Sequence, residues 1–259
     1  MIANVRAAMV TWRSAWREAS SNRAGFWTQV VIMLANDVVW IVFWGLLFNR
    51  VDNIRGWDFD RMVLLFTVFT ISGGIVLGLL NNVRRLGELA TTGGLDAALA
   101  LPTSTLLHVV VRRIEPINLG DIVFGIVLFL TLGDPTLAKA GLVVFGVVCS
   151  ASVWSGFLIL VGSFGFFVGR REPGELGFSA MAMFSNYPID LYAGGLRVLL
   201  YGVVPAAFVT SVPAKIVDDF SLTQAALLGG VAVLMMAIGV VAFNAGLRRY
   251  TSGAVWTSA

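Results

Sequence analysis

Residues 142–168 read LVVFGVVCSASVWSGFLILVGSFGFFV and contain no charged side chain. A helix of about 20 apolar residues crosses the ~30 Å hydrocarbon core of a bilayer, so this stretch is long enough to span it. Met62–Leu80 and Leu222–Gly246 are also free of charge, and Phe26–Phe48 carries only Asp37. These stretches predict an all-α integral membrane protein.

The composition agrees with lipid as the main solvent. Of 259 residues, 58% are hydrophobic and 13% are charged, whereas a soluble domain is about 25% charged. The net charge is +3, and the arginines lie beside apolar stretches and do not cluster on a domain face. We therefore expect membrane lipid as a partner and no nucleic acid. Residues 1–25 lack the pattern of a cleavable signal peptide.

We expect one transmembrane domain, residues 1–259, with six transmembrane helices. The uncertain one is the fifth span, since residues 173–209 are interrupted by two prolines and a glycine pair. Such breaks favour a short helix followed by short re-entrant helices on the extracytoplasmic side, residues 187–222. An ordinary 20-residue span is the alternative. The expected spans are 26–48, 62–80, about 117–132, 142–168, one within 173–209, and about 224–243.

Basic residues set the expected orientation, because lysine and arginine favour the cytoplasmic side. One side holds twelve of the eighteen and the other holds five. Both termini are then cytoplasmic, and the span count is even in a plasma membrane protein. The twelve are Arg6, Arg13, Arg17, Arg23, Arg84, Arg85, Arg112, Arg113, Arg170, Arg171, Arg248 and Arg249.

The N-terminal segment, residues 1–25, has a different pattern. Val5, Met9, Trp12 and Trp16 recur at helical spacing, and arginines occupy a neighbouring face. This predicts an amphipathic helix in the membrane interface with its tryptophans at headgroup level. The alternative is an accidental periodicity in the flank of the first span.

Several kinds of active site lack their residues. A phosphate-binding loop needs a lysine after a glycine-rich turn, but Lys139 and Lys215 each follow an alanine. The single histidine, His108, and the single cysteine, Cys149, cannot form a thiolate–imidazole metal cage. We therefore expect no enzyme activity and no cofactor bound by this chain.

Two acidic residues lie in or near predicted spans. Asp37 is in the middle of the first span, where a charge must face the bundle interior, a partner or water. It is either a contact for substrate or a proton, or part of a polar lock with Asn36. Asp121 follows Gly120 near the start of the third span, and we expect it to reach water at the cytoplasmic interface.

The longest predicted cytoplasmic loop is 81–116. Within it, Leu95 and Leu99 are four residues apart, so a helix would place them on one face as an apolar pair for a partner. Asp96 could pair with a basic group of that partner, and Pro102 would end the helix. The alternative is a solvated connector.

Two segments resemble a known family. Residues 93–102, GGLDAALALP, resemble the Gly-x-Leu-Asp-x-x-Leu-x-x-Pro coupling-helix segment of type-2 ABC transporter permeases. Residues 184–188, FSNYP, and 203–208, VVPAAF, resemble the extracytoplasmic Tyr-Pro and Pro-x-Ala-Phe element of the same family. The order and the sidedness of these segments match that family over nearly the whole chain.

This resemblance implies a permease that forms a dimer with a second permease subunit and works with ABC ATPase subunits, which bind ATP and Mg. It implies export of a lipophilic or amphipathic small molecule, drug or lipid. The implied ATPase-coupling residues are Arg84, Arg85, Gly94, Leu95, Asp96, Leu99 and Pro102. The candidate translocation pathway comprises Asp37, Phe66, Phe69, Met181, Phe184 and Asn186, and the candidate extracytoplasmic gate comprises Tyr187, Pro188, Pro205 and Phe208.

Two other functional classes stay open. An ion-coupled secondary transporter would use Asp37 and Asp121 as carriers, although such proteins often contain internal repeats and none is evident between spans 1–3 and 4–6. A non-transporting membrane scaffold is the other. The substrate is not indicated, export rather than import follows from the resemblance alone, and both a homodimer and a heterodimer are compatible with one chain.

Overall fold

A computed structural model describes residues 2–250, with side chains from residue 4 onward. Residue 1 and residues 251–259, which end the predicted domain and include the tail predicted to be cytoplasmic, lie outside the described residues. The described chain is 79% helical and contains no strand. Its helices are α1 (Ile2–Ala19), α2 (Arg23–Phe48), α3 (Phe59–Gly73), α4 (Leu86–Thr91), α5 (Asp96–Leu99), α6 (Thr105–Val110), α7 (Leu119–Leu132), α8 (Leu137–Ser163), α9 (Gly165–Val168), α10 (Glu172–Ser185), α11 (Gly194–Gly202), α12 (Ala206–Val209), α13 (Ser211–Asp218) and α14 (Leu222–Leu247).

Four helical stretches are long and apolar enough to cross a membrane. They are Arg23–Phe48, Phe59–Leu79, Leu137–Val168 and Leu222–Leu247. The first, second, fourth and sixth predicted spans are therefore confirmed as helices, with limits a few residues wider than predicted. Phe59–Leu79 combines α3 with a π-helical turn, Gly74–Leu79.

The other two predicted spans are not of that length. The third corresponds to Pro116–Leu132, a shorter apolar helix. The fifth corresponds to α10, which has 14 residues, or about 21 Å of helix, and is followed by a break at Pro188. Six spans are therefore not established. Short helices do follow α10, as predicted. That they re-enter the membrane on the extracytoplasmic side stays a prediction.

Each of the four long helices begins at a polar side chain that caps its first turn. The caps are Asn22, Asp58, Thr136 and Ser221, and each accepts a hydrogen bond from the backbone N–H three residues later. Such caps stabilise a helix by about 1 kcal/mol, because they satisfy donors that have no partner within the helix. The start of each long helix is thus encoded locally.

Helix α8 is the centre of the bundle and packs against α3, α10, α13 and α14. Its Trp154 is 1% exposed and stacks on Phe69, with 5.7 Å between ring centroids. Against α14 the contact is backbone to backbone: a Cβ at Gly239 would lie 2.5 Å from the Gly156 carbonyl oxygen. Small residues allow this approach, as is usual between membrane helices.

The bundle has two polar ends. At one, which we call the arginine-rich end, α1 and the segment α4–α6 meet the start of α10 and the end of α14. At the other, which we call the Asp190 end, the loop before α3 meets the segment from Asp190 to α13. The structure thus gathers the segments predicted to be cytoplasmic at one end and those predicted to be extracytoplasmic at the other.

Candidate functional site

The predicted coupling segment is folded into a layer of three short helices, α4 to α6, which we call the coupling layer after its predicted role. Gly93 and Gly94 form the turn before α5: Gly93 has φ +79°, and a Cβ at Gly94 would lie 2.5 Å from Leu89 Cδ2. Pro102 follows α5, which ends at Leu99, in agreement with its predicted role as a helix stop. The turn at Gly93 and Gly94 therefore fixes the position of α5 next to α4.

The prediction that Leu95 and Leu99 form an apolar pair on one face of this helix, available to a partner, is wrong. Leu95 precedes α5 as its N-cap and is 0% exposed, packed in the main hydrophobic core with Ala98. Leu99 is 41% exposed. The helix begins one residue later than the pattern suggested, so Leu95 anchors the layer and only Leu99 is available for a partner.

Asp96 is bound within the chain. The Tyr250 hydroxyl donates a hydrogen bond to Asp96 Oδ1 at 2.7 Å, which ties the end of the last span to the coupling layer. Burial and this bond raise the pKa of Tyr250 to about 12, so the phenol remains a donor over the physiological range. Asp96 therefore links two elements of this chain.

Arg84 and Arg85, the arginines predicted to take part in coupling, line a polar cavity at the arginine-rich end. Arg85 donates two hydrogen bonds of 2.9 Å to the Glu88 carboxylate, which hold the pKa of Glu88 below its ordinary value. The Arg84 guanidinium lies 4.2 Å from the centroid of the Phe178 ring. The cavity is about 760 Å³ and reaches from these residues to Asn118. A second cavity, about 600 Å³, lies between Arg85, α1 and the end of α6.

Helix α1 is present as predicted and packs on this layer. Thr11 Oγ1 lies 3.1 Å from His108 Nδ1 on α6, and Ala15 is buried. Trp12 and Trp16 stack with 5.7 Å between centroids and are more than a third exposed. An exposed stacked pair of this kind suits a headgroup region, although the location of α1 at a membrane stays a prediction.

The end of the second span is held next to the start of α7 by asparagines. The π-helical turn leaves carbonyl groups without helical partners, and Leu77 O accepts from Asn81 Nδ2 at 2.8 Å and from Asn118 Nδ2 at 3.2 Å. Gly78 O accepts from the Glu115 backbone N–H at 2.8 Å. Helix α7 therefore starts inside the bundle, which explains why it is short.

The two acidic residues predicted from the sequence meet between α2 and α7. Asp37 is 4% exposed and Asp121 is 6% exposed, and their carboxyl groups lie within hydrogen-bonding reach of each other. The expectation that Asp121 reaches water is wrong, because α7 begins beside the middle of α2. Asn36 Nδ2 is 3.5 Å from Asp37 Oδ1, a contact within α2, so the predicted lock between helices stays a prediction.

The candidate pathway residues are divided between separate places. Phe66 and Met181 are buried, and Phe69 links Phe66 to Trp154 in a run of aromatic contacts. Phe184 contacts Tyr192, with 5.5 Å between centroids, and Asn186 donates to the Ala182 carbonyl at 2.7 Å. Asp37 faces Asp121 instead. In this conformation the aromatic residues form packed core.

The candidate gate residues lie toward the Asp190 end. Tyr187 packs edge-on against Trp40 and Trp44 of α2, at 6.5 and 6.2 Å between centroids. Pro188 and Pro205 are buried, and Phe208 is 7% exposed and contacts Tyr201. Helix α13 is almost wholly buried against α3 and α8. The gate residues therefore join the short helices to α2 and to the core.

Asp190, the residue that binds the segments of the Asp190 end to one another, was not identified in the sequence analysis. Asp190 Oδ2 accepts from Lys215 Nζ at 2.5 Å and from Trp57 Nε1 at 2.9 Å, and Oδ1 accepts from Arg197 at 2.6 Å. Arg55 donates to the Asp190 carbonyl at 3.2 Å. The signal was an acid just after a proline, between apolar stretches, with a single isolated arginine seven residues later.

Electrostatics at Asp190 favour the ionised carboxylate. Burial raises the pKa of this carboxyl, but the hydrogen bonds from Lys215 and Trp57, with the nearby positive charges, outweigh burial and hold its pKa below the ordinary value. Three segments distant in sequence therefore converge on one negative charge.

Comparison with known proteins identifies the family. No curated protein and no solved structure matches the chain. A family model described as an ABC-2 family transporter protein matches residues 34–254, which include α3 to α14 and most of α2. Members are membrane transport components, not catalytic subunits. With its apolar helices and this match over most of its length, the chain belongs to the ABC-2 family of transporter permease domains.

Proposed function

We propose that this chain is the permease subunit of an ATP-driven exporter. It works as a dimer with a second permease chain, and separate ATPase subunits, which bind ATP and Mg, dock on its arginine-rich end. It lies in the plasma membrane with both termini in the cytoplasm. The observation that carries this proposal is the coupling layer, an ordered surface of short helices between the second and third predicted spans.

The surface of this layer suits a protein partner. Leu99 and Leu101 are each 41% exposed, and Leu107 is 37% exposed, above the buried Leu95 and Ala98. An apolar patch on a rigid base loses little conformational freedom on binding, so it favours docking over a solvated connector. Arginines line the two polar cavities at the same end of the bundle and would supply charge for orientation.

The bundle interior supports a lipophilic or amphipathic substrate. The aromatic run from Phe66 through Phe69 to Trp154 crosses the middle of the bundle, and Met181 belongs to the same core as Phe69 and Trp154. Separation of these side chains would open an apolar route with aromatic walls. The residues from Tyr187 to Phe208 would then close that route at the Asp190 end.

A second candidate function, an ion-coupled secondary transporter, is favoured by one observation. Asp37 and Asp121, the two acids it requires, are in contact inside the bundle. Transport assays separate the two functions. Efflux by the first candidate stops when ATP is depleted, whereas efflux by the second stops when the proton gradient is collapsed and ATP is present.

Substitution of Leu99 tests the docking surface. Leu99→Asp places an unpaired charge in an apolar contact and should weaken ATPase binding by at least 2 kcal/mol, or about 30-fold, as for an interface hot spot. The measurements are ATPase co-purification in mild detergent and substrate efflux from cells. Leu137→Asp is the control, since Leu137 is 92% exposed at the other end of the bundle. Normal co-purification and efflux with Leu99→Asp would reduce the layer to a connector.

A further inference from the structure

The contact between α2 and α7 forces two carboxyl groups into one enclosed space. A Cβ at Gly120 would lie 2.7 Å from the Val30 carbonyl oxygen and 2.8 Å from Met33 Cβ, so the helices touch at backbone level. Asp37 is one helical turn beyond Met33, and Asp121 directly follows Gly120. One oxygen of each carboxyl, Asp37 Oδ2 and Asp121 Oδ1, is buried and has no donor among the described residues.

No positive charge balances this pair within the described helices that surround it. The other charged residues of α2, α3 and α7 are Arg23, Asp60 and Arg61, at the helix ends. Helix α1, which packs on α2 and α7 through Ala15, carries Arg6, Arg13, Arg17 and Glu18, and none of these forms an ion pair with Asp37 or Asp121. Arg23 precedes Asp37 by 14 residues, or about 21 Å of helix. The turn before α7, Pro116–Asn118, contains no titratable residue, and Glu115 just before it bonds to the Gly78 carbonyl and Arg113.

We propose that Asp37 and Asp121 form a proton-binding site, in which one carboxylic acid donates a hydrogen bond to the neighbouring carboxylate. Two adjacent carboxylates in a medium of low dielectric constant repel strongly, and a single shared proton turns that repulsion into a hydrogen bond. The same proton supplies the missing donor for the buried oxygens. The proposal does not depend on ATP-driven export, and it concerns the same two acids that the ion-coupled candidate would use.

We expect the proton to enter from the arginine-rich end of the bundle. The polar cavity of about 760 Å³ at the arginine-rich end is lined by Asn81 and Asn118 at its inner wall. Asn118 precedes Asp121 by three residues, so this cavity is the entry that we expect the proton to use. Loss of the proton would leave two negative charges between α2 and α7 and would weaken this contact, so the packing of the first span responds to proton activity at that end.

Infrared spectroscopy tests the shared proton directly. The purified full chain in lipid nanodiscs at neutral pH should show the carbonyl stretch of one protonated carboxylic acid. Asp37→Asn/Asp121→Asn keeps the shape and a hydrogen bond but binds no proton, so the band should be lost. In Asp134→Asn, whose carboxylate is 87% exposed beside Lys139, the band should remain. Absence of the band in the wild type, or its survival in the double variant, overturns the proposal.

Isotope labelling makes the test independent of the variant's folding. If the double variant does not fold, the wild-type band must shift when the protein is labelled with carbon-13 aspartate. A band that does not shift belongs to another group and overturns the proposal.

Stability gives a second readout. Separate aspartates in the unfolded chain release at neutral pH the proton that the folded pair holds, so unfolding releases a proton and stability should fall as pH rises through the titration of the pair. The double variant should lack this slope. An identical pH dependence in both proteins overturns the proposal.

Discussion

Single charged residues connect elements of this molecule that are far apart in sequence. Asp190 holds Trp57, Arg197 and Lys215 together, and Asp96 receives the Tyr250 hydroxyl. Except for Arg197, seven residues from Asp190, the partners lie 25 or more residues away, so these contacts could not stabilise an isolated helix. Each fixes the position of short helices that have too few residues to be stable alone.

Asp190→Asn tests the first of these residues. The substitution keeps the size of the side chain but removes charge from three hydrogen bonds, and a hydrogen bond to a charged group is worth about 1.5–3 kcal/mol. We expect a lower unfolding temperature at neutral pH. Asp134→Asn, which removes an exposed pair worth about 0–1 kcal/mol, should change little.

The pH dependence of this difference has a fixed sign. The pKa of Asp190 is lowered in the folded chain, so its contribution is present above the ordinary aspartate pKa of about 3.9 and is lost as pH falls toward the folded value. The gap between wild type and Asp190→Asn should therefore close in acid. A gap that stays constant at acidic pH would show that the charge of Asp190 is not what stabilises the Asp190 end.

At the scale of elements, the most extensive contact between two helices joins α8 and α14. This contact depends on glycine. Gly156 and Gly239 bring the two backbones together, with Met235 against Gly156. Gly229 and Gly230, on the same helix α14, face open space, since no atom lies within 4 Å of the position that a Cβ would take there. Gly239 is therefore required for helix packing, whereas Gly229 and Gly230 are not.

Gly239→Ala should destabilise the chain by about 1–3 kcal/mol, because the new methyl group meets backbone that cannot move aside. Gly230→Ala is the matched control and should stabilise the helix by about 0.5–1 kcal/mol. The buried Cys149 offers the measurement, since a thiol-reactive dye should label it faster as the chain unfolds. Equal unfolding temperatures for the two variants would contradict the importance of this crossing.

Comparison of these elements with the sequence shows which features were predictable. The long helices were, because an apolar run and a polar N-cap are local signals. The burial of Leu95 was not, since spacing places residues on a face but does not say which way the face points. The depth of Asp121 depends on where Gly120 meets α2, a contact between residues about 85 positions apart. The Asp190 site likewise joins three separate segments.

At the scale of the whole molecule, the ends of the bundle differ in a way that suits a transport subunit. The arginine-rich end carries an exposed apolar layer and open polar cavities, whereas the Asp190 end is closed by ion pairs and buried short helices. Movement at the first end could reach the second through α8, which contacts α4 at the arginine-rich end and α13 at the Asp190 end. We therefore expect nucleotide-driven changes to enter at the coupling layer.

The most direct test of this account is ATP hydrolysis by the affinity-purified chain in mild detergent. We expect hydrolysis to accompany a co-eluting ATPase subunit and to disappear when that subunit is removed by stringent washing, because this chain has no phosphate-binding loop. The Leu99→Asp variant should elute without the subunit and without activity. Hydrolysis by the chain alone, or substrate transport that continues without ATP and stops when the proton gradient is collapsed, would contradict the account.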